Sequence, residues 1–439
     1  MRSASQGERI PVPSEFQTAL FDPADPKAAL AELPREAAVF ALYGADTLAE
    51  PYIGRTPNLR SRLERLLQPS PRHPRRLHLA GLVRRIEWRA TGSEFESLLL
   101  QFELLESVYG AKALERMHLR APAFVRFLGG NPYPRVVVTH RPSQREADWV
   151  YGPFASRAVA ERYVDEALKL FLLRRCTDDL SPDPSHPGCV YSEMKMCLAP
   201  CYKGCSDERY AEEAAAVGDF LRTRGESRLV TLRTERDQAS ANLEFESAAS
   251  LHAQVQRVES VRALAPELVR PMSRLRAVIL QASAQAGNVA VFLFEHGTLR
   301  GPAVFSTLGM RIQNEQSGST SLFAQPMAIE PTLEPSADAA AEKTSPTQLE
   351  ARLEATLAAL AETAAPPTPT QRQGHLALLK RWYYRPEVRR TGEIFFPDAD
   401  NRWPTRAILR GVGRIAASRL KTPEAQPAQS QETKSRKAE

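Results

Sequence analysis

The stretch from Cys176 to Cys205, CTDDLSPDPSHPGCVYSEMKMCLAPCYKGC, holds all five cysteines of a 439-residue chain, spaced C-x12-C-x7-C-x3-C-x3-C. Thiols gathered in one segment constrain the fold, because the backbone must bring separated positions to one place. The count is odd, the opening MRSASQGERIPVPSEF has no apolar signal core, and no run of about 18 apolar residues follows. These features predict a reducing, cytoplasmic setting without a membrane span, where a disulfide framework does not persist. A metal or iron–sulfur site is the stronger reading. Zinc sites usually pair cysteines closely, twice; only Cys197, Cys201 and Cys205 are close, with Cys176 and Cys189 far upstream. One close pair with two distant ligands suits a cluster held by a wrapped loop. The alternative is a set of buried, unliganded thiols.

Charge is distributed unevenly. The net charge of +6 is modest for this length, and 43% hydrophobic with 25% charged residues describes a globular chain of two or three domains. Residues 55 to 89, however, hold ten arginines against Glu64 and Glu87. Such density is an electrostatic footprint for phosphate, and the planar guanidinium grips two oxygens at once. Arg60, Arg65, Arg75, Arg76, Arg84 and Arg85 are the expected DNA contacts; a solvated basic face is the alternative.

Along the chain, AAVFALYG (37 to 44) and PYIG (51 to 54) read as a hairpin. A helix is expected from Thr56 as N-cap and Pro57 at N1, burying Leu59, Leu63, Leu66 and Leu67 with Arg62 beside the stripe. LVRRIEWRAT is a third strand with Leu82, Ile86 and Trp88 on one face. Ser93 and Glu96 form a capping box opening a helix that buries Phe95, Leu98, Leu99, Phe102 and Leu105. Ser156 caps another helix, which ends near Arg174 and Arg175. Three helices follow over 207–223, 226–241 and 244–264, with Gly225 between the first two. Residues 275 to 309 read as a three-strand meander turning at Gly287 and Gly297, and 375 to 404 as a helix and a strand. ILRGVGRIAASRL (408 to 420) places G-V-G before a helical run, faintly like half a helix-hairpin-helix.

Three of these stretches together resemble UvrC, the incision subunit of bacterial nucleotide excision repair. Cys176, Cys189, Cys197 and Cys201, with CLAPC at 197 to 201, match four positions that the family associates with a 4Fe-4S cluster; Cys205 lies outside that pattern. Tyr52, Ile53 and Gly54, in YIGRTPNLRSRL, match the second half of the GIY-YIG nuclease signature, and Arg62 its catalytic arginine. The resemblance implies hydrolysis of one phosphodiester bond by an activated water, with one Mg or Mn ion held by a helical glutamate. The sequence departs from that site. Phe40 stands at the first signature tyrosine, Arg55 at the usual lysine, Leu66 at a further tyrosine, and Gln101 at the metal glutamate. An amide is a weak ligand for a hard cation. Glu103 is rotated about 200° away around the helix, whereas Glu94 could approach with a shift of register.

ANLEFESAASLHAQVQRVESV (241 to 261) resembles the UVR motif, with Leu243, Phe245, Glu246, Ala248, Ala249, Leu251 and Val255 at its small and apolar positions. In UvrC that hairpin docks on a UvrB-type helicase subunit; an ordinary intramolecular hairpin is the alternative. The resemblance covers about 37 to 309, and too little chain follows for the family's second, RNase H-type nuclease and paired helix-hairpin-helix units. The expected fold class is α+β: a small GIY-YIG-like mixed sheet with helices, then a helical cysteine-cluster/UVR module and a small β-meander. The expected division is 1–34 an arm, 35–130 the nuclease-like domain, 131–205 the link and cysteine module, and 206–265 the UVR hairpin. The small sheet at 273–310, a linker over 311–372, a degraded segment over 373–420 and a disordered tail over 421–439 complete it. Functionally the resemblance implies a subunit that binds damaged DNA with a UvrB-type partner and makes a single incision, or an adaptor that binds both without cutting.

Overall fold

The computed structural model describes residues 16–46, 49–68, 79–177, 179–308, 310, 345–362 and 366–420, which form an α+β fold on three four-stranded antiparallel sheets. The expected tail over 421–439, and residues 311–344 of the expected linker, lie outside the described residues. The first sheet contains β1 (Gln17–Leu20), β2 (Ala38–Gly44), β3 (Tyr52–Thr56) and β4 (Val83–Ala90), ordered β1-β4-β2-β3. Strand alternation gives β2 two buried faces. Ala38, Phe40 and Leu42 meet α1 (Pro26–Ala31) and α2 (Leu59–Leu67), while Val39 and Ala41 meet Leu100 and Leu104 of α3 (Glu94–Tyr109).

Two local expectations shift. The α2 cap is Asn58, which accepts from the Ser61 N–H at 3.0 Å, and Thr56 instead accepts from the Asn58 N–H. The helix therefore starts after Pro57. Leu82, expected in the third strand, is 68% exposed and precedes β4; a register shift opposite Tyr43 and Gly44 turns Val83 inward with Ile86 and Trp88. Of the expected capping box at α3 the Ser93 half forms, accepting from the Glu96 N–H, while the buried Glu96 carboxylate accepts from the N–H of Gly92, one residue before the cap.

After α4 (Lys112–Arg116), the second sheet joins β5 (Ala123–Phe127), β6 (Val136–Thr139), β7 (Val150–Phe154) and the two-residue β8 (Arg270–Pro271), ordered β6-β5-β7-β8. Helices α5 (Arg157–Leu168), α7 (Asp207–Arg222), α8 (Glu226–Ala241) and α9 (Phe245–Ala263) share one core with it, centred on Phe154, Tyr163, Tyr210 and Phe220. The short α6 (Val190–Glu193) lies inside the cysteine stretch. Gly225, between α7 and α8, has φ +83°, the left-handed region that favours glycine.

The third sheet extends the expected meander. To β9 (Ala277–Ala282), β10 (Asn288–Glu295) and β11 (Thr298–Ser306) it adds β12 (Glu393–Phe395) beside β9, in the order β11-β10-β9-β12. Helices α10 (Pro346–Ala361) and α12 (Thr405–Leu420) cover one face through Leu353, Leu357, Ile408 and Val412; α11 (Pro369–Tyr383) and α3 cover the other. Thus the stretch read as a degraded segment supplies a strand and two helices to this core. The G-V-G turn expected at 411 to 413 is absent, because α12 runs through both glycines. A side chain at Gly411 would stand 2.6 Å from the Phe395 ring, so close packing rather than phosphate binding explains that glycine.

A candidate nucleic-acid interface with substituted catalytic positions

The hairpin β2–β3 and helix α2 bring Tyr52 and Arg62 together, with Arg62 Nη2 donating to Tyr52 Oη at 3.4 Å. Phe40 pairs with Gly54 across the strands, and its ring lies 6.2 Å from that of Tyr52. A side chain at 54 would meet the Phe40 ring at 2.8 Å, which fixes glycine there. Tyr109 Oη, from the end of α3, donates to Pro51 O and ties that helix to the start of β3. A phosphate at this edge would find one guanidinium and one phenol; Phe40 adds no hydroxyl with which to orient water.

The carboxylates around α3 are engaged elsewhere. Gln101 is half-buried and brings a neutral amide. Glu94 receives both guanidinium nitrogens of Arg385, Nη1 to Oε2 at 2.7 Å and Nη2 to Oε1 at 2.9 Å, and Arg55 lies 3.6 Å from it. The bond to Arg385 holds the Glu94 carboxyl below its ordinary range. Glu103 faces Arg89 and Glu106; burial pushes it up to about 7 while Arg89 draws it down. Among the described residues no group of three His, Cys, Asp or Glu is placed to hold one metal ion.

The arginines divide by environment. Arg60 Nε donates to Leu33 O at 2.7 Å, Arg65 Nε to Ser61 O at 3.0 Å, and Arg84 Nη1 to Val83 O at 2.8 Å. Arg85 lies over the Tyr43 ring and pairs with the buried Glu87 at 3.0 Å. Arg75 and Arg76 lie outside the described residues.

In the cysteine stretch, Ala199 N–H donates to Cys197 Sγ at 3.1 Å and Arg174 Nη1 to Cys176 Sγ at 3.6 Å. Left-handed Lys195, Ala199 and Lys203, with φ of 54°, 56° and 59°, wind the loop tightly. Burial, then the proximity of Cys176, Cys189 and Cys201, pushes the Cys197 thiol up to about 11, although the Ala199 amide opposes this. The Ala199 amide and the Arg174 guanidinium are donors that favour the thiolate forms of Cys197 and Cys176. Cys205 stands apart, packed against the second sheet's core and raised by burial and by Asp207 rather than by the other cysteines.

Helices α8 and α9 form the expected hairpin. At its tip Leu243 is 72% and Phe245 67% exposed, and Glu246 and Ala249 are exposed beside them. Leu251 instead packs at the margin of the core, while Val255, Val258 and Val261 are buried in it. The residue that sequence reading missed is Arg385, whose partner Glu94 is 291 positions away and leaves no local trace.

Known proteins agree with this picture in the middle of the chain. The family model for the UvrC/Cho excinuclease middle domain matches residues 124–220, and the UvrB/uvrC motif matches 226–261. UvrABC system protein C of Alcanivorax borkumensis is 29% identical over 238 residues, covering 54% of this chain and 39% of that protein. The Pseudomonas protegens protein of the same name is 28% identical over 241 residues (55% and 39%), and that of Carboxydothermus hydrogenoformans 28% over 260 (59% and 42%). The matches thus span about two fifths of these relatives' length. No solved structure matches the chain. No helix among the described residues is long and apolar enough to cross a membrane. Over residues 124–220 and 226–261 the chain is thus similar to the UvrC/Cho middle domain and the UvrB/uvrC motif.

Proposed function

We propose that the chain acts in nucleotide excision repair as a UvrC-like subunit that binds damaged DNA and docks on a UvrB-type partner. The observation that carries this is the hairpin α8–α9, where the UvrB/uvrC motif coincides with an exposed tip bearing Leu243 and Phe245. Large apolar side chains left in water at a helical tip are the anchors that helix-on-helix docking uses. Binding of full-length chain to UvrB, followed by fluorescence anisotropy, tests it. Leu243→Asp and Phe245→Ala are expected to weaken the complex at least tenfold without changing the melting temperature; unchanged affinity would sink the docking assignment.

Two versions of the role differ in chemistry. In one, Tyr52 and Arg62 support a single incision with Mg or Mn, with Arg55 as an auxiliary cation. In the other the chain is an adaptor that binds without cutting, and Gln101, Phe40 and the engagement of Glu94 by Arg385 favour it. Nicking of a damaged duplex with UvrB and either metal, beside an Arg62→Ala control, separates them. Metal-dependent nicking that the control abolishes would remove the adaptor reading.

Cys176, Cys189, Cys197 and Cys201 are the proposed ligands of a 4Fe-4S cluster, which when bound would tie the loop 176–201 to itself covalently. Arg174 and the Ala199 amide would stabilise the thiolates as donors. Absorption near the visible charge-transfer band after anaerobic purification, lost in Cys197→Ser, is the expected signature.

A further inference from the structure

Two cavities share Arg222 as a lining residue. The first, about 450 Å³, is lined by Arg222, Arg224, Arg270, Arg274 and Arg276 together with Asp398 and Asp400. Three of its arginines have acidic partners: Arg222 with Asp219, Arg270 with Glu267, and Arg276 with Glu295. The other two do not. Arg224 makes only a 3.5 Å bond to Ala265 O and its buried Nε is unpartnered, while the exposed Arg274 has no side-chain partner among the described residues. Arg224 also lies close enough to Arg270 to depress its basicity, adding to the effect of burial there. Uncompensated guanidiniums crowded into a cleft are stabilised by an anion.

The second cavity, about 420 Å³, is lined by Phe127, Trp149 and the small residues Ala211, Ala215 and Gly218 of α7, with the paired Asp219 and Arg222 also on its lining. The Phe127 and Trp149 rings lie 5.4 Å apart, and Trp149 is 39% exposed. Its ring passes 3.5 Å from where a side chain at Gly218 would begin, so the missing side chain keeps the pocket open. A half-exposed indole beside a flat, small-residue wall offers a stacking face. An aromatic platform beside a basic cleft, with Arg222 lining both, is the combination that unpaired nucleic acid requires, because bases need a π-face and the backbone needs cations.

We propose that this groove binds a single-stranded DNA segment, its phosphates on Arg224 and Arg274 and one unstacked base on Trp149. The inference rests on the DNA-binding reading above and adds a second contact surface, far in sequence from the arginines of residues 55–89. An incision subunit or adaptor at an opened lesion would meet such a strand.

The test is anisotropy of a labelled oligothymidylate with the full chain across a salt series. Trp149→Ala is expected to weaken binding roughly five- to one-hundred-fold, the range for loss of one base stack, while Trp149→Phe keeps most of the affinity. Arg274→Ala, at an exposed position, should lower the slope of log affinity against log salt by about 0.7. Binding of a duplex of equal length should change little in Trp149→Ala. Wild-type affinity in both Trp149→Ala and Arg274→Ala would overturn the groove while leaving DNA binding elsewhere intact. Tighter binding of oligouridylate would overturn the assignment to DNA, and thymidine monophosphate competing as well as the oligomer would reassign the site to a mononucleotide. No affinity of the wild-type chain for any DNA would remove the parent reading as well.

Discussion

Arg385 and Glu94 form a two-pronged ion pair, with bonds of 2.7 and 2.9 Å, that fastens the chain after α11 to the first turn of α3. A fork-to-fork pair is stronger than a single contact, but Glu94 is 44% exposed, which limits its worth. Arg385→Ala should therefore lower unfolding free energy by about 0.5–1 kcal/mol in urea titration. Because the Glu94 carboxyl is held below its ordinary range, this contribution is present above the unfolded carboxyl pKa near 4.5 and is lost as pH falls below it. A double-mutant cycle with Glu94→Gln should return a coupling of the same size; zero coupling would mean the pair contributes nothing.

Gly374 on α11 lets the helix seat against Phe102, since a side chain there would begin 2.0 Å from the ring. Alanine normally favours a helix interior by roughly 1 kcal/mol over glycine. At this position the clash wins, and Gly374→Ala should destabilise by about 1–3 kcal/mol. Calorimetry should show a lower melting temperature that Phe102→Leu partly restores.

Glu103 is an acid whose pKa burial raises to about 7. Below pH 4.5 both folded and unfolded chains carry it protonated, so it costs nothing; as pH rises through 7 the folded chain must ionise it in place, and stability falls. Glu103→Gln should accordingly stabilise at pH 8, by on the order of 1–3 kcal/mol, and change little at pH 4. Equal effects at both values would show that packing, not charge, sets its cost.

His375 is buried on α11, accepts the Leu299 N–H on Nδ1 at 3.0 Å and meets the Phe102 ring edge-on. That acceptor role requires a neutral ring with its proton on Nε2, and burial pushes the pKa down to about 4. The sign is opposite to that of Glu103: stability is complete above pH 6.5 and is lost as pH falls toward 4. An NMR titration should show the His375 ring unchanged between pH 7 and 5.

The cysteine spacing, the Ser93 cap of α3, the break at Gly225 and the three helices after residue 206 are all written in local sequence, because caps, turns and periodicity act over a few residues. What sequence reading lost is what acts at a distance. One stripe of α3, from Phe95 to Leu105, was legible, but Leu100 and Leu104 are buried too, against the first sheet. A helix apolar on two sides is held between layers, and the second layer belongs to α11, about 270 positions later. Counting charge treated the arginines of 55–89 alike, whereas Arg60 turns inward to Leu33 O and Arg85 to Glu87. Likewise a three-residue strand such as β12 carries no alternation to read; only its neighbour β9 makes it a strand.

The seating of α3 between two layers also sets an order of assembly. During synthesis α3 is complete long before α11 and β12 emerge, so the sides of Phe95 and Phe102 that face α11 wait uncovered with the edge of β9 unpaired. An apolar helix face beside an open strand edge is a site where growing chains stick to one another. Fragments that stop before residue 369 would carry that hazard permanently, and the residues from 369 to 420 act as a built-in cover for α3 as well as for their own sheet.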